Sequence, residues 1–421
     1  MNILRAFSRV LLGLVFIFSG FTKIIDPVGV GLIVAEYMKI LGITSIPQLC
    51  QFMGIALSAI ELLLGICLLS GIKMKVSSTV AMAFISVFLI VTLFLAIFNP
   101  IHDCGCFGEA LKLTNWQTFF KNIVLFVCAF IVFRQREKFI PIAPNHWEWI
   151  LAAIYGLSVM IISLYCMRHL PFIDFTEYKP GSDLREKILL QSSTTDQPVF
   201  ETVLIYKKGK TIKEFTVENI PDSTWTFVDS RSKQINKRVE PESGTFAISD
   251  RSGEYLTDSI VSIKGALFVT SIPFMENLSS KKADQIKMRD QNLRSSGVRH
   301  IILCGSSFDS IDSVFADSEG YQIYYTDYKT LITLNRSNGG MIYIYDGQIA
   351  AKWSYSDADR QNIGDVLKED PELISANRVI KEHVTIEVAI AVLLLLIVVM
   401  RLTLRLTYKH NEKSDEDISE L

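Results

Sequence analysis

The chain has 421 residues, of which 49% are hydrophobic and 20% are charged, and its mean hydropathy is +0.31. It is too apolar for a wholly soluble protein and too charged for one that lies entirely in a membrane, so both environments are expected. The formal net charge of −2, without a long basic stripe, argues against nucleic acid as a partner.

Six segments are predicted to cross the membrane as helices. A hydrocarbon layer of roughly 30 Å needs about 20 residues of α-helix. The uncharged run 76–101 meets this requirement alone, and the run 49–72 contains one charge, Glu61. The first segment is short, but it reaches full length if flanking basic side chains extend toward the headgroups. In chain order the six are 10–22, 49–72, 76–101, 116–133, 150–167 and 388–400.

The first apolar segment is predicted to remain as a membrane helix. No small-residue cleavage site follows it, since Ser19 to Lys23 runs directly into another apolar stretch. Four basic clusters fall on one side of the membrane, which the positive-inside rule makes cytoplasmic. We therefore expect both termini inside and the loops around 23–48, 99–115 and 168–383 outside. The clusters are Arg5 with Arg9, Lys73 with Lys75, Arg134 with Arg136 and Lys138, and Arg401 with Arg405, Lys409 and Lys413.

Two thiols, Cys104 and Cys106, lie in the loop before the fourth predicted span, within the sequence His-Asp-Cys-Gly-Cys-Phe-Gly. One intervening glycine permits the close pairing that an easily reduced disulfide needs, so thiol–disulfide exchange is the functional interpretation. His102 would favour a neighbouring thiolate, or it is an interface residue. The alternatives for the two thiols are a fixed structural disulfide or simple packing in the loop.

The other five cysteines differ in position. The topology places Cys50 and Cys166 at outer helix ends, level with the loop, which makes them alternative disulfide partners. Cys67 and Cys128 lie toward the cytoplasmic helix ends and Cys304 lies in an apolar strand, so we expect all three to pack as small apolar residues. Zinc needs three or four ligands at tetrahedral spacing, which this pattern lacks, and no metal site is expected.

Three charged residues near the first two helices are further candidates. Glu61 lies near the middle of a predicted span, where a charge is costly unless it is protonated or paired. It is either a proton relay or quinone contact, or a neutral helix contact to Ser58 or Ser19. Lys23 and Asp26 are spaced for a local pair at a helix end, with a structural clasp or a substrate contact as the two interpretations.

The N-terminal third carries a family resemblance. Residues 19–27, Ser-Gly-Phe-Thr-Lys-Ile-Ile-Asp-Pro, resemble the DoxX family of four-helix membrane proteins, and Asp103 to Gly108 before the fourth helix resembles its MauE branch. The resemblance covers about residues 1–140. It implies a role like that of MauE in methylamine utilisation, which is maturation of a disulfide-rich periplasmic dehydrogenase subunit. The whole chain resembles a two-part DoxX architecture common in Bacteroidetes, and its extra helices and outer domain depart from a plain MauE protein.

The outer part of the chain changes character near Gly244. Before it, strand signals dominate, with a hairpin predicted around residues 207–210. After it, strands and helices alternate in an order that resembles thioredoxin-like domains. The position of the active-site thiols in that family, after the strand 266–271, holds Ile272 to Asn277, and the proline expected before the final hairpin is replaced by residues 337–340. We therefore expect a domain that binds a partner and performs no redox chemistry.

The predicted architecture is an α membrane four-helix bundle plus an extracytoplasmic α/β thioredoxin-like domain, with six transmembrane helices in total. The protein is expected in a bacterial inner membrane as a multi-pass protein with a periplasmic domain. The predicted units are a DoxX/MauE-like four-helix domain at 1–140, a fifth helix at 141–168, a strand-rich segment at 169–242, a degenerate thioredoxin-like domain at 243–380, a sixth helix at 384–404 and a cytoplasmic tail at 405–421.

Three functions are compatible with this organisation. The first is thiol–disulfide exchange with an envelope protein through Cys104 and Cys106, with Cys50 or Cys166 as a second pair and a quinone as the candidate acceptor. The second is a non-enzymatic scaffold that presents the outer domain to an extracytoplasmic partner. The third is a DoxX-type subunit of a quinone-linked respiratory complex. The sequence leaves open whether the protein is an enzyme and names no substrate.

Overall fold

A computed structural model describes residues 2–44, 46–101, 104–139, 145–188, 200–208, 211–216, 225–234, 246–315 and 320–388, together with residues 391 and 395. Six helices form the N-terminal part. Five of them are long and apolar enough to cross a membrane, and α2 is the exception. The helices are α1 (Asn2–Ile24), α2 (Pro27–Ile40), α3 (Pro47–Ser70), α4 (Met74–Phe98), α5 (Asn115–Arg134) and α6 (Asn145–Arg168).

The first five predicted spans coincide with α1, α3, α4, α5 and α6. The sixth, at 388–400, lies outside the described residues except for positions 388, 391 and 395. The connection predicted at 23–48 does lie between the first two spans, and it contains a short helix, α2, that the sequence analysis did not assign. Pro27 takes the first position of α2, and the Asp26 carboxylate accepts a hydrogen bond from the Gly29 N–H at 3.0 Å. An aspartate cap followed by proline starts a new helix, which separates α2 from α1.

Helices α1 and α3 pack with their backbones in close contact. A Cβ atom on Gly20 would lie 2.5 Å from the Leu62 nitrogen, and one on Gly65 would lie 2.6 Å from the Ile17 nitrogen. Glycine is therefore required at both positions for the helices to approach as they do. The two helices, with α4 and α5, enclose an apolar core that includes Leu12, Phe16 and Leu68.

Three of the four predicted basic clusters meet at one end of the bundle. Arg5 donates a hydrogen bond to the Lys138 carbonyl at 3.3 Å, and its guanidinium lies 5.0 Å from the centre of the Phe139 ring. Lys75 pairs with Glu137 at 3.4 Å. The fourth cluster, after residue 400, lies outside the described residues. The loop with the two thiols lies at the opposite end, so the described bundle has one basic end and one thiol-bearing end.

The region between α6 and the α/β domain contains a small antiparallel sheet, which includes the predicted hairpin. Its strands are β1 (Phe200–Lys208), β2 (Thr211–Thr216) and β3 (Thr226–Gln234), in the order β2-β1-β3. Lys208 of β1 pairs with Thr211 of β2, which places the turn of the hairpin between these two residues.

A five-stranded mixed sheet forms the centre of the α/β domain. The strand order is β6-β5-β4-β7-β8, in which β4, β5 and β6 are parallel and β7 and β8 form an antiparallel hairpin. Apolar side chains bury both faces of β4. The elements are α7 (Thr257–Val261), β4 (Ala266–Ile272), α8 (Ser280–Ser295), β5 (Arg299–Cys304), α9 (Phe308–Val314), β6 (Ile323–Tyr325), α10 (Tyr328–Leu334), β7 (Gly340–Tyr345), β8 (Gln348–Trp353), α11 (Tyr355–Ala358) and α12 (Ile363–Val366).

The elements of this domain follow the predicted order. The turn of the final hairpin is Asp346-Gly347, with φ angles of 49° and 82°. Two successive positive φ angles are typical of the type I′ turn that an Asp-Gly pair favours. A further helix covers residues 371–388 and runs toward the last apolar segment of the chain.

The close approach of α1 and α3 can be tested by two matched glycine substitutions. Gly20→Ala places a methyl group against the backbone of Leu62 and should destabilise the fold by about 1–3 kcal/mol. Gly156→Ala on α6 is the control, because a Cβ there meets no atom nearer than 4.0 Å. Thermal unfolding of the purified protein in detergent should show a lower Tm for Gly20→Ala and an unchanged or higher Tm for Gly156→Ala. Equal Tm values would contradict the described helix contact.

Candidate functional site

The loop that links α4 to α5, residues 99–114, carries the two thiols and is hereafter the cysteine loop. The Asn115 amide donates to the Asn99 side-chain oxygen and to the Ile101 carbonyl, both at 2.7 Å, and so holds the beginning of the loop. Thr114 caps α5 by accepting from the Gln117 N–H. Both ends of the loop are therefore fixed on neighbouring helix termini. His102 and Asp103 lie outside the described residues.

Cys104 and Cys106 contact each other directly and are hereafter the thiol pair. Their Sγ atoms lie 2.6 Å apart, and the Cys106 N–H donates to Cys104 Sγ at 3.2 Å. Gly105 has a φ of +66°, a conformation that favours glycine. A Cβ at this position would also lie 2.5 Å from Ile33 of α2. Glycine between the cysteines is thus required both by the tight turn and by the covering helix.

The thiol pair is buried beneath α2. The exposed fractions are 5% for Cys104 and 8% for Cys106, and Leu95 and Tyr37 pack around both. The Tyr37 hydroxyl donates to the Cys104 carbonyl at 3.0 Å, and the Ser19 hydroxyl donates to the Cys106 carbonyl at 2.5 Å. Helices α1 and α2 therefore hold the backbone on each side of Gly105, and a reaction partner reaches the sulfurs only if this cover moves.

The two thiols differ in acidity. The hydrogen bond from the Cys106 thiol lowers the pKa of Cys104 to about 7 against the opposing effect of burial, and Thr118 and the Lys121 ammonium add smaller contributions. The same hydrogen bond, together with burial, raises the pKa of Cys106. Cys104 is consequently the thiol that ionises near neutral pH, and Cys106 is the thiol that keeps its proton.

Lys121 and Thr118 approach the thiol pair from the same face of α5. The Thr118 hydroxyl lies 3.7 Å from Cys104 Sγ, and the Lys121 ammonium lies 4.2 Å from the centre of the Phe107 ring. A cation over this ring is held next to the thiol pair. In the sequence, Lys121 stands out only as the single charge that interrupts a predicted span. Its spacing of three residues from Thr118 places both side chains on one face of α5, the face that meets the thiol pair.

Lys23 and Glu61 form a buried ion pair beside the cysteine loop. The prediction of a local Lys23–Asp26 pair was wrong, because each residue has a different partner across the fold. The alternatives for Glu61, a contact to Ser58 or Ser19, were also wrong: Ser58 donates to the Gly54 carbonyl and Ser19 donates to Cys106. A cation within reach explains how Glu61 is accommodated among apolar helices.

Asp26 joins the bundle to the α/β domain. Its carboxylate accepts two hydrogen bonds from Arg336, at 2.8 and 3.1 Å, and Arg336 also lies 3.5 Å from Glu109 of the cysteine loop. A second ion pair at 2.8 Å links Lys329 of α10 to Glu36 of α2. The α/β domain is therefore bound by ion pairs to α2 and its cap and to the cysteine loop. Sequence reasoning missed these contacts, since the partners are about 300 residues apart.

The loop after β4, where thioredoxin-like proteins carry their thiols, faces the bundle. Pro273 and Phe274 line a cavity of about 360 Å³ together with Ile332, Gly31 of α2 and Gln51 of α3. The cavity wall is mostly apolar and contains no cysteine. The α/β domain thus contacts the bundle through the loop after β4, and no cysteine lines this contact.

All seven cysteines lie within the described residues and are free thiols, the thiol pair included. Cys166 packs with Ile25 and Ile173 in a different apolar cluster, and Cys50 is buried at the start of α3. In the described hydrogen-bond network neither contacts the thiol pair. Burial raises the pKa of Cys304 to about 11. Among the described residues, no three His, Cys, Asp or Glu side chains converge as metal ligands.

The acidity of Cys104 predicts a pH profile for its modification. Because only the thiolate reacts, alkylation of Cys104 should rise with pH to half its maximum near pH 7, below the midpoint of an ordinary thiol. Lys121→Gln should move this midpoint upward by about half a pH unit, since a stabilising cation is lost. Lys39→Gln, which changes an exposed lysine of α2, is the control. Peptide mass spectrometry measures the profile, and a midpoint above pH 8 in the unmodified chain would contradict it.

Release of the α/β domain should expose the thiol pair. Arg336→Gln leaves the Asp26 and Glu109 carboxylates without their buried cation and weakens the grip on α2. Alkylation of Cys104 at fixed pH should then accelerate about tenfold. Arg299→Gln, at an exposed arginine of β5, should leave the rate unchanged. Equal rates for the two variants would mean that the domain contacts do not control access.

Comparison with known protein families gives matches for the N-terminal third and for one short segment after α6. Residues 1–134 match the family Methylamine utilisation protein MauE, and residues 200–237 match a domain of unknown function, DUF8463. No curated protein and no solved structure matches the chain. Together with the apolar helices, the first match shows that this is a multi-pass membrane protein with a MauE-like region at residues 1–134.

Proposed function

We propose that this protein exchanges thiols and disulfides with an envelope protein through Cys104 and Cys106. The observation that carries the proposal is the contact of the two sulfurs at 2.6 Å, in a loop fixed between membrane helices. Their unequal acidity supports it further, because exchange requires one thiolate and one thiol that resolves the intermediate.

The exchange proceeds in two balanced steps. The Cys104 thiolate attacks one sulfur of a partner disulfide, a new S–S bond forms to Cys104, and the departing partner thiolate takes up a proton. Cys106 then loses its proton and attacks Cys104 Sγ, which forms the Cys104–Cys106 disulfide and releases the second partner thiol. The thiol pair loses two electrons and the partner gains them. The reverse sequence oxidises a partner dithiol.

Charged side chains beside the thiol pair stabilise the thiolate of the first step and accept the proton of the second. Lys121 favours the Cys104 thiolate. The positive charge of Lys23 also acts on Cys106, and Lys23 contacts Glu61. In this proposal Glu61, with Lys23 between it and the loop, accepts the proton that Cys106 releases. Proton acceptance would explain why a carboxylate, which is costly inside a membrane, is present at position 61.

The α/β domain is the partner-binding unit in this proposal. Its strand order and the loop after β4 support a thioredoxin-like domain at residues 243–380. Its single cysteine, Cys304, is fully buried and has a raised pKa, so it is unsuited to exchange. A thioredoxin-like surface that binds without reacting would bring a partner disulfide toward the cysteine loop.

We place the thiol-bearing end of the bundle and the α/β domain on the periplasmic side of a bacterial inner membrane, with both termini in the cytoplasm. The gathering of three basic clusters at the other end supports this orientation. An oxidising compartment is also where a thiol pair of this kind finds disulfide substrates.

A non-enzymatic scaffold is the second candidate function. The burial of both thiols favours it, because two cysteines that are only 5% and 8% exposed are closed to a reaction partner while α2 covers them. In this case the α/β domain recruits envelope proteins and the thiol pair only stabilises the loop beneath α2.

Capture of a mixed disulfide distinguishes the two functions. In the Cys106→Ala variant, the partner should remain bonded to Cys104 because no second thiol resolves the intermediate. Cells are acid-quenched and alkylated, and non-reducing electrophoresis should show a reductant-sensitive adduct. Cys128→Ala, which removes a buried thiol of α5, should show none. Absence of an adduct from both Cys106→Ala and Cys104→Ala, with unchanged envelope disulfides in the double variant, would contradict exchange and favour the scaffold.

A further inference from the structure

A second cavity, lined by charged side chains, lies between the end of α6, the α/β sheet and the 371–388 helix. Its volume is about 800 Å³, and it is separate from the thiol pair. Four cations line its wall: Lys352 of β8, Arg360 after α11, and Arg378 and Lys381 of the 371–388 helix. The proposed exchange chemistry uses none of these residues.

One of the four cations is fully neutralised. The Lys352 ammonium lies 2.6 Å from Asp174 and donates to the Tyr178 carbonyl at 3.1 Å. Lys352 and Asp174 are both buried, and the pair fixes the segment after α6 onto β8. Lys352 therefore contributes little charge to a ligand, and the other three cations determine what the cavity attracts.

The remaining three cations are weakly paired. Arg378 lies 3.7 Å from Glu382, and Arg360 lies 4.0 Å from Asp357, whose carboxylate is also shared with His169. Lys381 has no side-chain partner among the described residues. The four cations are opposed by three carboxylates, which belong to Asp174, Asp357 and Glu382. One positive charge is therefore left over, and a ligand with one negative charge would balance it.

The cavity lies at the C-terminal end of α6, which is one of the helices long and apolar enough to cross a membrane. Tyr165 lines it and stacks on His169 and Phe172, with ring centres 4.5 and 4.9 Å away. Aromatic side chains in this position are typical of the membrane interface. Ile161 lies one turn before Tyr165 on α6, and Leu164 lies on the same face as Ile161; both are more than half exposed and present an apolar surface. A basic cavity thus lies directly above a lipid-facing stripe.

We propose that this cavity binds the phosphodiester headgroup of an anionic membrane phospholipid, with Arg378 and Lys381 as its contacts. The arginine fork matches two phosphate oxygens, and the unpaired lysine adds a second charge. The acyl chains lie along Ile161 and Leu164. The phosphate chemistry would also suit a soluble phosphate ester, but the apolar stripe below the cavity favours the lipid.

The test compares lipid retention by the full-length protein in detergent. Equal amounts of phosphatidylglycerol and phosphatidylcholine are added, and native mass spectrometry measures the lipid that stays bound. The unmodified chain should retain phosphatidylglycerol preferentially, and the Arg378→Gln/Lys381→Gln variant should retain it about tenfold less. Lys281→Gln/Lys368→Gln removes the same charge from exposed positions and should behave like the unmodified chain. Equal retention by the two double variants would overturn the proposal.

Two further measurements distinguish a loss of binding from a loss of folding, and a lipid headgroup from a soluble phosphate ester. If the double variant melts at a lower temperature, Lys381→Gln alone carries the test, because this side chain is exposed and its loss should still reduce retention about threefold. Glycerol phosphate is added as the soluble probe. Tight binding of glycerol phosphate, lost in the double variant and without retention of phosphatidylglycerol, would overturn the lipid assignment. Retention of phosphatidylglycerol in excess glycerol phosphate supports it.

Discussion

The packing of the α/β domain and α2 against the bundle depends on the hydrogen bonds and the ion pair that the Asp26 carboxylate makes. The carboxylate caps α2, which sets the direction in which that helix leaves α1, and it binds the buried guanidinium of Arg336 in the α/β domain. Because α2 starts at this point, Ile33 and Tyr37 come to lie over the cysteine loop. One side chain thus contributes both to the cover of the thiols and to the attachment of the α/β domain.

The environment of the thiol pair combines burial with charge. Burial alone would keep both sulfurs protonated, and an exposed pair would have no means of selecting a partner. Here the pair lies beneath a helix but within reach of two lysines, Lys23 and Lys121, and of a carboxylate that neutralises one of them. The glycine contacts between α1 and α3 bring Lys23 and Glu61 to the same level. Helix packing and thiol chemistry are consequently linked through the same two helices.

The sequence was sufficient to predict the elements whose signals are local. Long apolar runs, two of which contain a single charge, located five spans, and the Asp346-Gly347 pair located the last hairpin. The helix α2 was not predicted, because its fourteen residues are too few for a span and the segment between the first two spans was described only as a connection. The ion pair of Lys23 with Glu61 and the contacts of Arg336 depend on the tertiary fold, and local spacing instead suggested Lys23 with Asp26. Spacing did identify the thiol pair itself, since only one residue separates its members.

The way in which the α/β domain is held has a consequence for the surroundings of the protein. Two of the ion pairs that attach it to α2 and its cap differ in exposure: the one at Arg336 is buried, and the one between Lys329 and Glu36 is more exposed. Mobile ions screen an exposed pair much more than a buried one. A rise in ionic strength would therefore weaken the contact between Lys329 and Glu36 before the contact at Arg336. The salt concentration around the α/β domain then becomes a physical variable that acts on the helix that covers the thiols.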